Sequence, residues 1–282
     1  TEIYTLSLHD ALPISTGFRI ITTERKTHMP QMIACFKWVV DEAYIRVGAS
    51  GDLDMNAVDY KISDYDKNAL EEAARIREQA GGSVAAVTVG VPEATKGVKD
   101  ALSRGAEKAF FIQDPSFRDL EPSQTARILA AVIQSRIPYD LILCGEGSSD
   151  LYARQVGPRL AELLGIPCLS FVQKLTVEGD HVVAERRTDE GQEVCTAPMP
   201  VLVTVLPDIN TPRIPSVRDT LMASKKEVVP VRKEDLPDIS SPFLETVSMK
   251  GTSLKRSGTR FTEDPGDVKA FVDTLLQKGV LK

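Results

Sequence analysis

The residues best suited to chemistry lie in the stretch 140–157, DLILCGEGSSDLYARQVG. There a buried apolar run opens into Gly145-Glu146-Gly147-Ser148-Ser149-Asp150 and then into a helical pattern. Glycines let a backbone approach a ligand, free N–H groups ahead of a helix attract phosphate, and the hydroxyls of Ser148 and Ser149 add donors. A plainer reading fits the same residues, a strand-to-helix turn with Ser149 or Asp150 as N-cap. A second candidate, Ser63-Asp64-Tyr65-Asp66, opens the first helical pattern, and its plainer reading is a capped start with solvated acids. A third, Thr88-Val89-Gly90, ends a strand-like run. Ligands of open parallel sheets bind beyond the carboxyl ends of the strands. All three candidates fall at that edge, so a nucleotide lying across it could touch each.

Other chemistry finds little support. No Gly-x-Gly-x-x-Gly follows the first strand, and there is neither a Gly-Lys-Ser/Thr nor a Ser-Gly-Gly-x-Asp-Ser loop. These absences count against a dehydrogenase, a P-loop NTPase and an ATP-pyrophosphatase ligase. No nucleophile stands beside an evident base, so an enzyme using the Gly145 loop as an oxyanion site would lack its partner group. A bound nucleotide without catalytic machinery points to a structural or redox role. Of three histidines, His9 and His28 fall in an N-terminal stretch that does not read as native, leaving His181, which disfavours a His-based triad or a multi-histidine metal site. Cys35, Cys144, Cys168 and Cys195 show no Cys-x-x-Cys spacing and are expected to be reduced, mostly buried residues of a cytoplasmic protein. A formal charge of −6 argues against a nucleic-acid partner. No apolar run approaches the roughly 20 residues that cross a bilayer, so no membrane insertion is expected.

The elements that must position these residues are legible in the periodicity. Residues 33–40, 84–89, 109–112 and 140–144 read as strands, and 66–79, 94–103, 123–135 and 151–164 as helices. Ser63 or Asp64 can cap the first helix, and Gly81-Gly82 ends it. Such alternation predicts right-handed βαβ units and a parallel sheet covered on both faces. After Pro167 the texture changes: 175–178, 181–187 and 193–196 read as short antiparallel strands, and 201–206 returns to the main sheet. Residues 225–264 carry too little apolar periodicity to pack as a core, and read either as a disordered tail or as an arm ordered on a partner. A last amphipathic helix covers about 265–277.

The N-terminus stands apart. Residues 1–15, TEIYTLSLHDALPIS, match a common sequencing-adapter oligonucleotide translated in frame, so 1–31 is expected to be a non-native extension, with Met32 the first candidate for the true start and Met29 the second. The stretch lacks the basic start and apolar centre of a signal peptide.

From Met32 onward the chain resembles electron transfer flavoprotein β-subunits. The resemblance rests on IACFKWVVDE, ISDYDKNALEEA, DALSRGA, LILCGEGSSDLYARQVGP, ERRTDEG, PMPVLVTV and DINTPRIPSVRDTLMASKK, in that order. The wording SSDLYARQVG is similar to the branch associated with carnitine (crotonobetainyl-CoA) metabolism. The resemblance implies a Rossmann-like α/β fold of the adenine-nucleotide α-hydrolase-like type, spanning 32–224 with an antiparallel hairpin insertion, and an extended C-terminal arm, 225–282, that wraps an α-subunit. It implies a heterodimeric electron carrier, not an enzyme, working with an acyl-CoA dehydrogenase-type flavoprotein.

By the same resemblance, AMP would be held by Cys35, by Ser63, Asp64, Tyr65 and Asp66, and by Val89. The loop would contribute Gly145, Glu146, Gly147, Ser148, Ser149 and Asp150, then Leu151, Tyr152, Ala153, Arg154, Gln155 and Val156. FAD would sit mainly on the α-subunit. Electron-bifurcating relatives carry a second FAD at the AMP site and read Asp-Gly-Asp-Thr-Ala-Gln, whereas Leu151, Tyr152 and Ala153 follow Asp150 here. A leucine in place of a glycine beside pyrophosphate favours AMP. Arg213, Ile214, Pro215, Ser216 and Val217 match the segment that docks into a partner dehydrogenase, with Val217 at a position where leucine is usual. The plainer reading of this segment is a proline-ordered connection, since Pro212 and Pro215 alone would stiffen it. The rival class is an ATP- or AMP-binding stress-type sensor of the same sheet architecture, which would have no use for the arm.

Overall fold

The computed structural model describes residues 29–48, 50–55, 58–238, 242, 244, 246–251 and 258–281. The expected extension, 1–31, therefore lies almost wholly outside the described residues.

Among the described residues, those within 1–39 and 60–243 form one compact unit, and those within 40–59 and 244–282 form a second. The strands of the first unit's main sheet are β1 (Gln31–Cys35), β2 (Ser83–Gly90), β3 (Lys108–Gln113), β4 (Leu141–Gly145), β5 (Cys168–Glu178), β6 (His181–Thr188), β7 (Gly191–Pro198), β8 (Val201–Val205) and β9 (Glu227–Arg232). Their spatial order is β7-β6-β5-β8-β4-β1-β2-β3-β9. The pairs from β5–β8 through β3–β9 are parallel, and β5–β6 and β6–β7 are antiparallel. This is the expected Rossmann-like α/β architecture. The central strands β4 and β8 are fully buried, as continuous Leu/Ile/Val runs require when both faces are covered.

The helices α1 (Asp64–Ala80), α2 (Thr95–Ser103), α3 (Pro122–Arg136) and α4 (Val156–Leu164) cover the sheet. One core joins Ala69, Leu70 and Ile76 of α1 and Val98 and Leu102 of α2 to Met32, Ala34, Leu141 and Leu143. The opposite core joins Ile128, Leu129 and Ile133 of α3 and Leu160 of α4 to Ile33, Cys35, Ile142 and Cys144. Alternation along β1 and β4 thus divides each strand between two cores. All four cysteines are free; Cys35 and Cys144 are buried, and Cys168 and Cys195 are half-buried.

Three element readings need correction. The first strand stops at Cys35, and Trp38–Val40 is a separate short strand, with Phe36 and Lys37 belonging to neither. The hairpin is longer than its apolar pattern suggested: β5 begins at Cys168 and is itself a parallel partner of β8. Glu227–Arg232, in a stretch expected to lack core contacts, forms the sheet's edge strand beside β3, with Val231 buried. Its proline at 230 is tolerated because an edge strand has one row of N–H groups without a ladder.

In the second unit, Arg46–Val47 pairs antiparallel with Leu53–Asp54, and Asp52 bridges Lys250. The last helix, α6 (Pro265–Gln277), begins under an Asp264 cap and matches the expected span. Its Val268, Phe271, Val272 and Leu276 all remain exposed, at spacings that place them on one face.

Candidate functional site

The first turn of α1 is built to serve its neighbours rather than itself. Ser63 is the N-cap residue, but its side chain makes no capping hydrogen bond. Its hydroxyl instead accepts the N–H of Ser149 at 3.2 Å, tying the helix start to the loop after β4. Asp66, in the same turn, is buried. Its Oδ2 accepts the Lys37 N–H at 2.9 Å, and its Oδ1 accepts the Gly145 N–H at 3.1 Å. One carboxylate thus joins the chain just past β1 to the end of β4, at the edge where parallel sheets take ligands. Burial pushes the Asp66 carboxyl up to about 7, against the two N–H donors and the Lys37 charge, which pull it down. Asp64, by contrast, faces solvent and is held by Lys61 at 2.8 Å and Lys67 at 2.7 Å.

The loop from Gly145 to Gln155 folds around two centres. The first is the carboxylate of Asp150, which takes Lys37 Nζ at 2.6 Å and the Leu151 N–H at 2.7 Å and is hydrogen-bonded by the Ser148 side chain. Burial raises its pKa, but Lys37, Ser148 and the Leu151 N–H outweigh that effect and hold it below the usual carboxylate range. The second centre is Tyr152. Its hydroxyl donates to Glu146 Oε1 at 2.7 Å, its ring lies 5.2 Å from that of Tyr65, and the Arg154 guanidinium lies 5.2 Å from the ring centre. The Glu146 bond, with burial behind it, pushes the Tyr152 phenol up to about 12. Tyr152 and Arg154 have φ of 46° and 56°, a left-handed conformation rare for such residues and stored only where surroundings over-determine it.

Two glycines are required by close approach. A Cβ on Gly145 would lie 2.6 Å from Asp66 Oδ1 and 2.7 Å from Tyr65 Cβ, and one on Gly147 would lie 2.7 Å from the Tyr152 ring. Helix α4 starts at Val156 with Gln155 as N-cap residue, so neither Ser149 nor Asp150 caps it. The expected helix start at 151 gives way to loop because Tyr152 and Arg154 are left-handed.

The structure brings most of the expected residues to one edge. Cys35 ends β1 with its side chain in the α3/α4 core, so only its main chain faces the edge. Val89 stands near the end of β2 and packs partly into the same core. Leu151 is exposed, Ala153 lies between the two left-handed residues, and Gln155 accepts from Arg159 at 3.0 Å. The hydroxyls of Ser149 and Thr88 are buried without a hydrogen-bond partner among the described residues. Such orphans are uncommon.

The segment from Arg213 to Val217 lies elsewhere on α1. Arg213 holds Glu71 through Nε at 2.7 Å and Nη2 at 3.1 Å, and Glu78 through Nη1 at 2.7 Å. Arg104 donates to the Arg213 carbonyl at 2.9 Å. Just before it, Asn210 and Asn68 interlock, with Asn68 donating to the carbonyls of Pro207 and Asn210 and Asn210 donating to the carbonyl of Asn68. Ser216 and Asp219 then form a capping box for α5 (Val217–Ala223). Against this firm footing Ile214 is 93% exposed and Val217 79%, with Leu221 and Met222 exposed beside them on α5.

Sequence reasoning missed Lys37 and the Asn68/Glu71/Glu78 face of α1. The signal for Lys37 was a lone cation two residues beyond a strand end. Glu71 and Glu78 carried the helical spacing of a common face, but nothing local tied them to Arg213. A family model described as the electron transfer flavoprotein domain matches residues 50–237, more than half of the chain.

Proposed function

We infer the role of this chain from one premise: it belongs to the electron transfer flavoprotein domain family. Members of that family carry electrons. We propose that this chain is the β-subunit of a heterodimer that passes electrons between flavoproteins, with an acyl-CoA dehydrogenase-type partner, in the cytoplasm. The sequence wording at 148–157 favours the carnitine-linked branch.

The observation that carries this reading is the convergence of Ser63, Asp66 and the Gly145–Gln155 loop at the carboxyl edge of β1 and β4. That edge suits a structural AMP. Gly145 and Gly147 leave no room for side chains, and Ser148 and Ser149 supply hydroxyls. The AMP would do no chemistry; the redox flavin is FAD, held mainly by the α-subunit. Among the described residues, no cluster of His, Cys, Asp or Glu is arranged to hold a metal, and no helix is long and apolar enough to cross a membrane. The exposed apolar face of α6 supports its use in clasping the α-subunit, and Ile214 and Val217 support a docking role for their segment.

The test is to co-express the chain with its α-subunit, denature the purified complex and quantify the released nucleotides. One FAD and one AMP per heterodimer is the expected result. Two FAD and no AMP would replace AMP with a second flavin, and a chain that associates with no α-subunit would overturn the proposal.

A further inference from the structure

We propose that the Asp150 carboxylate occupies the chain's own anion position, and that Lys37 is the counter-ion a phosphate monoester gains when it displaces that carboxylate. The inference rests on the nucleotide reading of the loop and adds to it a binding residue, Lys37, and a competitor, Asp150.

An ammonium group at 2.6 Å, a main-chain N–H at 2.7 Å and the Ser148 side chain all converge on the Asp150 carboxylate. A cation, a free N–H and a hydroxyl in a glycine-containing loop are the donors that a phosphate oxygen takes. The hydroxyl of Ser149, next in sequence, is buried with no partner among the described residues. Lys37 is fixed from behind, because its main-chain N–H is bound to buried Asp66. Its side chain is nonetheless 46% exposed and that of Asp150 26% exposed, so the ion pair sits at the surface and is open to exchange.

Exposed ion pairs of this kind are worth little by themselves. A phosphate monoester brings nearly two negative charges and three acceptor oxygens, against one charge and two oxygens for Asp150. The dianion therefore wins the shared donors, and Asp150 sets a threshold: neutral nucleosides gain nothing from displacing it. On this account the residue that the resemblance placed among the nucleotide ligands works against the ligand.

The experiment uses the full chain in its heterodimer, stripped of bound nucleotide, with AMP, adenosine and inorganic phosphate as calorimetric probes. Asp150→Asn is expected to raise the ratio of AMP to adenosine affinity by about tenfold, the scale of removing a unit charge at a half-hydrated site. Lys37→Met is expected to lower that ratio by a similar factor, and inorganic phosphate is expected to compete with AMP more strongly in Asp150→Asn. An unchanged or lowered ratio in Asp150→Asn, with AMP still bound, would overturn the proposal and leave the nucleotide site standing. Binding of AMP to neither wild type nor variant would overturn both.

Discussion

Gly145 and Asp66 fit each other so closely that neither can change alone: the Gly145 N–H reaches Asp66 Oδ1 at 3.1 Å, and a Cβ on Gly145 would fall 2.6 Å from that oxygen. The same Cβ would meet the Tyr65 main chain at 2.9 Å, which a flexible side chain cannot relieve by moving aside. Gly145→Ala is therefore expected to destabilise the chain by about 1–3 kcal/mol, the scale of overpacking a filled site. If the loop holds a nucleotide as proposed, the variant should also release it, because displacement of Asp66 loosens the Lys37 end as well. Urea denaturation and nucleotide content of the purified complex check the two parts separately.

Asp66 also gives stability a pH dependence of definite sign. Its carboxyl is raised from 3.8 to about 7 by burial. Between those values the unfolded chain has lost the proton while the folded chain keeps it. Asp66 therefore contributes a loss of stability as pH rises through that window, on the order of 1.4 kcal/mol per pH unit, and no further change above the folded value. Asp66→Asn removes this slope. At acidic pH the variant should be the less stable of the two, since its amide nitrogen faces a main-chain donor that Asp66 accepted, a cost of about 1–3 kcal/mol. Urea titrations of both proteins from pH 4 to 8 give the comparison, and parallel slopes would contradict it.

How much of this could be seen in the sequence follows from the range of each interaction. The parallel sheet and the helices were legible because runs such as Leu141–Gly145 and spacings such as Ala69, Leu70, Ala73 and Ile76 are local signals. The glycines and serines of the loop were legible as candidates for the same reason. What Ser63 does was not, because its hydroxyl passes over its own helix to reach Ser149, which is 86 residues away. Lys37 and Asp150 are 113 residues apart and meet only after β1 and β4 align. The true start of α4 was hidden because Leu151–Gln155 has acceptable helix formers, and only tertiary contacts around Tyr152 and Arg154 hold the loop left-handed. The edge strand β9 was missed because its partner, β3, lies far back in the chain.

Arg213 ought to be the post on which its segment stands. Glu71 is nearly buried at its carboxylate, with 8% of the side chain exposed, and relies on a bidentate partner. Arg213→Met removes the guanidinium charge from that carboxylate, although the main-chain N–H at 213 still donates to it at 3.0 Å. The expected loss is about 1–2 kcal/mol, less than for a fully buried pair because about a third of the Arg213 side chain is in water. Arg213→Lys should recover only part of it, since an ammonium cannot serve Glu71 and Glu78 together through a planar fork. Thermal unfolding of the three proteins orders them, and equal midpoints would show that the segment is held by other contacts.

The apolar tip on that post is expected to act without supporting the fold. Val217 is 79% exposed and starts α5 under a capping box supplied by Ser216 and Asp219, so its side chain contributes little to packing. Val217→Asp should shift stability by no more than about 0.5 kcal/mol, as surface changes usually do. If the tip seats in a partner dehydrogenase, the same change places a charge in a desolvated pocket and should lower kcat/KM for electron transfer by at least about tenfold. Val217→Leu extends the apolar reach by one methylene and should raise kcat/KM modestly, by about fourfold, from roughly 0.8 kcal/mol of added burial. Stopped-flow reduction of the heterodimer by the dehydrogenase measures both, with FAD content confirming intact complexes. Unchanged transfer in Val217→Asp would remove this segment from the docking surface and leave the nucleotide edge untouched.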